Sequence, residues 1–380
     1  MSPTLVRTTL FGLAVAAAVT GCGKKSSDSG QASAPPPPTS APTPPPTTPT
    51  PPPPPAAPTT PDKAMVAQTF KPLPANFDDT AAPASDAMVE LGHQLYFDKR
   101  LSKNQDVSCA TCHDLAKFGV DGLPTSKGHK GQTGTRNAPT VYNAAGHFAQ
   151  FWDGRAATVE EQAKGPVLNP VEMAMADDAH VIAVVKSMPD YVKAFAAAFP
   201  GQADAVTFDN VAKAIGAYER KLVTPGPFDK YLAGDDAALS DDAKHGLAVF
   251  MASGCTGCHT GPLVGGTMYM KTGLTAPYAD TTDTGRFAIT KAEADKFMFK
   301  VPSLRNVAKT APYFHDGKIA DLPSAIREMG KLQLGKQFTD DEVKWIGAFL
   351  DALTGEPPAA LIAEPTLPKS TKTTPKPDPS

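Results

Sequence analysis

A net charge of only −3, from 36 Lys and Arg against 39 Asp and Glu, leaves the 380-residue chain without the basic field that nucleic-acid binding needs. Beyond the apolar run Leu10–Val19 no second long one occurs, so no membrane-spanning helix is expected in the body of the chain. Strand-length alternation of apolar and polar residues is missing too, which argues against a large sheet. Tryptophan occurs only twice, at Trp152 and Trp345, and cysteine five times. The positions of those few cysteines carry more information than their number.

Four of the five fall into two Cys-x-x-Cys-His runs, Cys109-Ala-Thr-Cys112-His113 and Cys255-Thr-Gly-Cys258-His259. Two thiols on one turn can reach the two vinyl groups of one porphyrin, and the next residue offers its imidazole to the iron. A zinc knuckle wants other spacings, and a redox dithiol has no use for a fixed histidine. Two covalently bound c-type haems are therefore expected, one on each run.

The fifth cysteine, Cys22, closes a segment with Arg7 near its start and the short apolar run after it, which has the shape of a secretory signal. Its end, Val19-Thr20-Gly21-Cys22, resembles the bacterial lipobox, in which the cysteine is lipidated and becomes the mature N-terminus. Acyl chains bury at about 0.8 kcal/mol per methylene, so such an anchor would hold the protein at a membrane surface in the periplasm. Residues 23–64 are rich in Pro, Thr and Ala with little to bury, the composition of a semi-rigid disordered linker. Residues 366–380 are expected to be a disordered tail. Between them lies enough chain for two domains, 65–225 and 226–365.

Each haem run follows a short amphipathic helix, so the pattern of helix, loop and motif occurs twice. The first helix is predicted at about Asp86–Phe97 and the second at Asp241–Met251, with Ser85 and Ser240 as N-caps. Further helices are predicted at Phe208–Leu222 and at Asp340–Leu353, where Thr339 and Glu342 form a capping-box signature. The remaining segments read as long loops. The expected fold is mainly α, with two cytochrome-c-like haem domains.

Longer strings carry a family resemblance over nearly the whole folded part. Leu95-Tyr-Phe-Asp-Lys-Arg-Leu-Ser102, Pro124-Thr-Ser-Lys-Gly-His129, Arg136-Asn-Ala-Pro-Thr140, Gln150-Phe-Trp-Asp-Gly-Arg155, Asn169-Pro-Val-Glu-Met173, Pro302-Ser-Leu-Arg-Asn306 and Thr310-Ala-Pro-Tyr-Phe-His315 resemble the bacterial dihaem cytochrome c peroxidases. The resemblance implies reduction of hydrogen peroxide to water, with electrons from a small periplasmic cytochrome c or a cupredoxin, in a homodimer. It implies that Glu172 is the acid–base carboxylate and that His129, between Gly128 and Gly131, is a displaceable distal ligand of the first haem. Met329 matches the distal ligand of the second haem, and Trp152 the aromatic between the haems. Asn137, Thr310 and Pro312 match a calcium site, whose oxygen donors suit a hard cation.

Two other readings stand beside this one: an enzyme that oxidises a protein tryptophan, against which Met329 argues because such relatives carry Tyr there, and a dihaem electron carrier without a substrate. Of the remaining histidines, His93 and His245 are expected on solvated helix faces. His147 is a competitor of His129 for the iron, and no role follows for His315. Trp345 reads as a core residue.

Overall fold

The computed structural model describes residues 60–380. Cys22, the signal segment and all but the last few residues of the Pro-rich stretch lie outside the described residues. That stretch was expected to run to residue 64, yet a helix begins at Lys63 and ends at Thr69, capped by the Asp62 carboxylate.

Eight helices of nine residues or more are found among the described residues: α1 Asp86–Phe97, α2 Val159–Leu168, α3 Asp178–Lys186, α4 Pro189–Ala198, α5 Phe208–Glu219, α6 Asp241–Ala252, α7 Leu322–Leu334 and α8 Asp340–Asp351. The fold is thus mainly helical. The N-caps Ser85 and Ser240 accept hydrogen bonds from the amides of Met88 and Ala243, and Thr339 and Glu342 cap each other's amides at the start of α8. Helix α5 stops three residues short of the predicted Leu222, with Arg220 closing its last turn through its amide to the Gly216 carbonyl.

Four helices were not expected. Segments α2 and α3 hide their helical period for a reason visible in composition, whereas α4 and α7 carry apolar residues at helical spacing behind a first-turn proline. Pro166 interrupts α2, and α3 is an unbroken apolar run at Val181–Val185 with no polar face to set a phase. The only strands among the described residues are β1 Tyr269–Lys271 and β2 Met298–Lys300, antiparallel with Met270 opposite Phe299.

Two helix crossings repeat the same device. A Cβ on Gly92 of α1 would lie 1.9 Å from the carbonyl oxygen of Ala214 in α5, and one on Gly246 of α6 would lie 1.8 Å from that of Trp345 in α8. Only glycine lets the two backbones of each pair approach so closely. Around α1 and α5, Leu91, Leu95, Val211 and Ile215 share a core with Val185, Tyr191 and Phe195. Around α6 and α8, Leu247, Phe250, Ile346 and Phe349 share one with Phe70, Phe228 and Ile326. Burying side chains of this size contributes about 1.5–3 kcal/mol each, so these two cores hold the helix pairs together.

The tail was expected to hang free, and the structure instead packs it along the α1–α5 side. Arg100 donates to the carbonyl of Pro368 (2.8 Å) and to Ser370 Oγ (2.9 Å). Thr371 Oγ1 donates to the Ser187 carbonyl (2.9 Å), the Asp378 amide donates to the Lys103 carbonyl (2.9 Å), and Thr374 is buried. An extended Pro/Thr chain has no internal hydrogen bonds to satisfy it, so its carbonyls and hydroxyls are free to pair with a neighbouring surface.

Candidate active site

Cys109–Cys112 forms one helical turn, capped by the reciprocal Ser108–Thr111 bonds, and the His113 amide closes it by donating to the Cys109 carbonyl (2.9 Å). The ring of His113 bonds through Nδ1 to the Gly119 carbonyl (3.3 Å). Cys255–Gly257 makes the tighter 3-10 version, the His259 amide reaches back to the Cys255 carbonyl (3.0 Å), and Nδ1 of His259 bonds to the Val264 carbonyl (3.1 Å). In both, the Nδ1 contact fixes the tautomer and leaves Nε2 as the free ligand atom, as an iron-ligating imidazole requires. Burial pushes the Cys109 thiol up to about 12 and those of Cys112 and Cys255 to about 11, and lowers His259 to about 4. Buried neutral thiols and neutral imidazoles fit two thioether-linked haems.

One cavity gathers much of the expected chemistry. Its walls include Cys112, His113, Trp152, Arg155, Glu172 and Lys300. Glu172 is half-buried; desolvation raises its pKa, opposed by the hydrogen bond from Asn169 Nδ2 to Oε1 (2.6 Å) and by the charge of Arg155. A carboxyl raised by burial takes up a proton more readily than an exposed one. The Trp152 indole N–H donates to the Asn137 carbonyl (2.9 Å), and the Lys300 amide donates to the Trp152 carbonyl (2.7 Å), so the second half of the chain helps to hold the Trp152 main chain.

His129 is placed differently. Its amide donates to the Glu172 carbonyl (2.7 Å), and Gly128 lies so close that a Cβ would sit 2.2 Å from the Val171 carbonyl oxygen, which ties the loop to the Glu172 backbone. The ring, 5% exposed, is not among the residues lining the cavity. Its Nε2 lies 3.3 Å from the main-chain oxygen of Ser380 and its Nδ1 has no partner. The structure therefore joins Glu172 and Trp152 to His113, and links His129 to them through backbone only.

Met329 lies half-buried on α7, whose Ile326 and Leu334 pack in the same cluster as Cys255. The Asn137 amide donates to the His315 carbonyl (2.8 Å), which brings the Asn137 segment beside the loop that carries Thr310 and Pro312. Asn137 spends its Nδ2 on the Leu123 carbonyl (3.0 Å), leaving Oδ1 free. Among the described residues no cluster of three or more His, Cys, Asp or Glu side chains forms a metal site.

Several side chains depart from expectation. His93, expected on a solvated face, is buried, stacked on Tyr218 (4.8 Å between centroids) and hydrogen-bonded through Nε2 to the Ala363 carbonyl (2.9 Å). Trp345 packs against the margin of the core around α6 and α8, half-buried and edge-on to His245 (5.5 Å). His147 pairs with Lys300 and lines the cavity. His315 stacks on Phe299 (4.2 Å) and meets Trp152 edge-on (6.4 Å). Sequence reasoning missed Lys300 and Glu219, both in the cavity wall; Glu219 is buried and pushed up to about 8. A charged residue at a core-facing position of α5 is the one signal that marked Glu219 in advance.

Residues 86–237 match the family model described as di-haem cytochrome c peroxidase. The chain is 49% identical over 314 residues to the cytochrome c551 peroxidase of Pseudomonas aeruginosa, covering 81% of this chain and 90% of that one. It is 35% identical to a methylamine utilization protein, MauG, of Methylorubrum extorquens, over 76% of this chain and 83% of that one. Among solved structures, a MauG-like protein associated with microbial copper homeostasis superposes with a TM-score of 0.68 at 29% identity, covering 77% of this chain and 95% of that one. The high identity over nearly full length, together with two Cys-x-x-Cys-His turns whose histidines are both anchored through Nδ1, places this chain in the di-haem cytochrome c peroxidase family.

Proposed function

We propose that the protein reduces hydrogen peroxide to two water molecules with two electrons and two protons, taking the electrons from a small c-type cytochrome or a cupredoxin. The observation that carries this reading is the cavity in which His113, Trp152 and a desolvated Glu172 line one wall system. When bound, the two haems supply the iron that takes peroxide and the store of two electrons. Glu172 takes the proton from one peroxide oxygen and returns it to the other, held in orientation by Asn169. A general acid–base of this kind contributes about 10²–10⁴ in rate. Trp152, pinned by its indole bond to Asn137, provides the aromatic between the two haem sites.

His129 and Met329 are the distal ligands in this reading. The His129 ring has Nδ1 without a partner and Nε2 3.3 Å from the Ser380 main-chain oxygen, so its nitrogens are not committed to strong bonds elsewhere. The free Oδ1 of Asn137 and the carbonyls of Thr310 and Pro312, on which no backbone hydrogen bond ends, suit a calcium ion with water completing its shell. The two halves 65–225 and 226–365 act as peroxide site and electron entry, Cys22 anchors the chain to a membrane in the periplasm, and two copies form a homodimer. The Pseudomonas aeruginosa relative's name, cytochrome c551 peroxidase, supports the donor class. The deciding experiment is peroxide-dependent oxidation of reduced cytochrome c. Turnover in the wild-type protein is expected, and its absence with several cytochrome and cupredoxin donors would leave an electron carrier.

A further inference from the structure

Lys300 is a charged side chain that the peroxide chemistry does not use. It ends β2, is only 6% exposed, and lines the cavity with His113 and Trp152. Its Nζ lies 2.9 Å from Nδ1 of His147. Burial alone lowers its pKa, to about 8, with no carboxylate acting in the opposite direction. A buried ammonium with only a neutral imidazole for company is costly unless an anion shares the site.

The His147 ring is enclosed as tightly. It rests on Gly266, where a Cβ would lie 2.4 Å from His147 Cδ2, so no larger residue leaves room for it. With Nδ1 accepting from Lys300, the ring hydrogen sits on Nε2, and that atom is buried without a partner. The wall thus presents an ammonium with unspent N–H groups and an unspent imidazole N–H, and both are donors that call for an acceptor of negative charge.

We propose that Lys300 and His147 form a carboxylate-binding seat, and that its ligand is a propionate of the haem attached at Cys109 and Cys112. Lys300 binds the carboxylate, and His147 is the positioning residue that holds the ammonium. The seat rests on the family reading only in requiring that this cavity hold a haem. Because the Lys300 amide also donates to the Trp152 carbonyl (2.7 Å), the same residue ties down the Trp152 main chain and neutralises the haem edge beside it. A cation at that edge favours the reduced haem, since reduction adds negative charge next to it.

The test is the reduction potential of each haem, measured by optical titration of the di-haem protein in wild type, Lys300→Met and Lys300→Arg. Lys300→Met is expected to lower the potential of one haem and leave the other in place, and Lys300→Arg to restore it. Two unshifted potentials in Lys300→Met overturn the seat. Should Lys300→Met fail to mature, Lys300→Arg and wild type are compared with ¹³C-labelled haem carboxylates in redox infrared difference spectra. A shifted carboxylate band in Lys300→Arg supports the seat, and identical bands overturn it; a free buffer anion in place of the propionate gives that unshifted result. Neither measurement depends on turnover, so a protein without peroxidase activity would defeat the functional reading and leave this one standing.

Discussion

The surroundings of His113 and of His259 diverge although the chain arrives at both in the same way. Each motif follows a capped helix that crosses a partner at a glycine, and each imidazole is anchored through Nδ1. Around His113 the cavity wall carries Glu172, Glu219, Arg155 and Lys300. Around His259 stand Phe250, Val264 and a cluster with Ile326 and Phe349, and no carboxylate shifts its pKa. Among the described residues, a half-buried carboxyl raised by burial shares the cavity of His113, and burial with the Val264 carbonyl accounts for the shift of His259. The two copies of one scaffold thus differ in their lining: ionisable side chains share a cavity with His113, and apolar ones pack around His259.

The strongest way to break this contrast is Glu172→Gln. Turnover with peroxide is expected to fall by about 10²–10⁴, while the spectrum of the haem at His259 stays as it was; wild-type rates in the variant would remove Glu172 from the mechanism. The shared scaffold is tested by Gly92→Val and Gly246→Val. Each places a Cβ within 2 Å of a carbonyl oxygen, and each is expected to cost about 3 kcal/mol or more, read as a lowered thermal midpoint. Unequal losses would show that the two crossings are not equivalent.

Glu219 sharpens the contrast through pH. Its folded pKa, about 8, lies above the ordinary carboxylate value, so its contribution to stability is full below about pH 4.5 and is lost as pH rises through 8. Glu219→Gln is expected to flatten the decline in thermal midpoint between pH 6 and 9, by an amount on the order of 1–3 kcal/mol at the alkaline end. A variant that declines as steeply as wild type would assign the pH dependence elsewhere. The smallest expected effect is that of removing residues 366–380. Hydrogen exchange should quicken in the segment from Asp98 to Gln105 and around His129, where the tail docks, and stay unchanged around His259.

Much of the helical framework was legible in advance. Helix α1 begins and ends where its serine cap and apolar spacing put it, and α6 and α8 differ from expectation by one or two residues at an end. Those signals are local: a cap bonds to an amide three residues on, and an amphipathic stripe needs only its own period. Helices α4 and α7 carry local signals too, an amphipathic spacing behind a first-turn proline, whereas the apolar content of α2 and α3 is set by the surfaces they meet. The tail was misread for the same reason, since its order comes from Arg100, Lys103 and Ser187, far away in the chain.

By itself the sequence determined the two attachment turns, because two thiols and an imidazole within five residues need no tertiary contact to be brought together. It determined the repeat of helix and motif as well, through caps and periodicity. The tertiary structure alone decided which ionisable groups face which motif. Glu172, Glu219 and Lys300 come from three distant segments, and whether a carboxyl or an ammonium is buried, and against what, is a property of the packed walls and not of the residue. That burial raises Glu172 and Glu219 and lowers Lys300, and it makes two similar turns unequal.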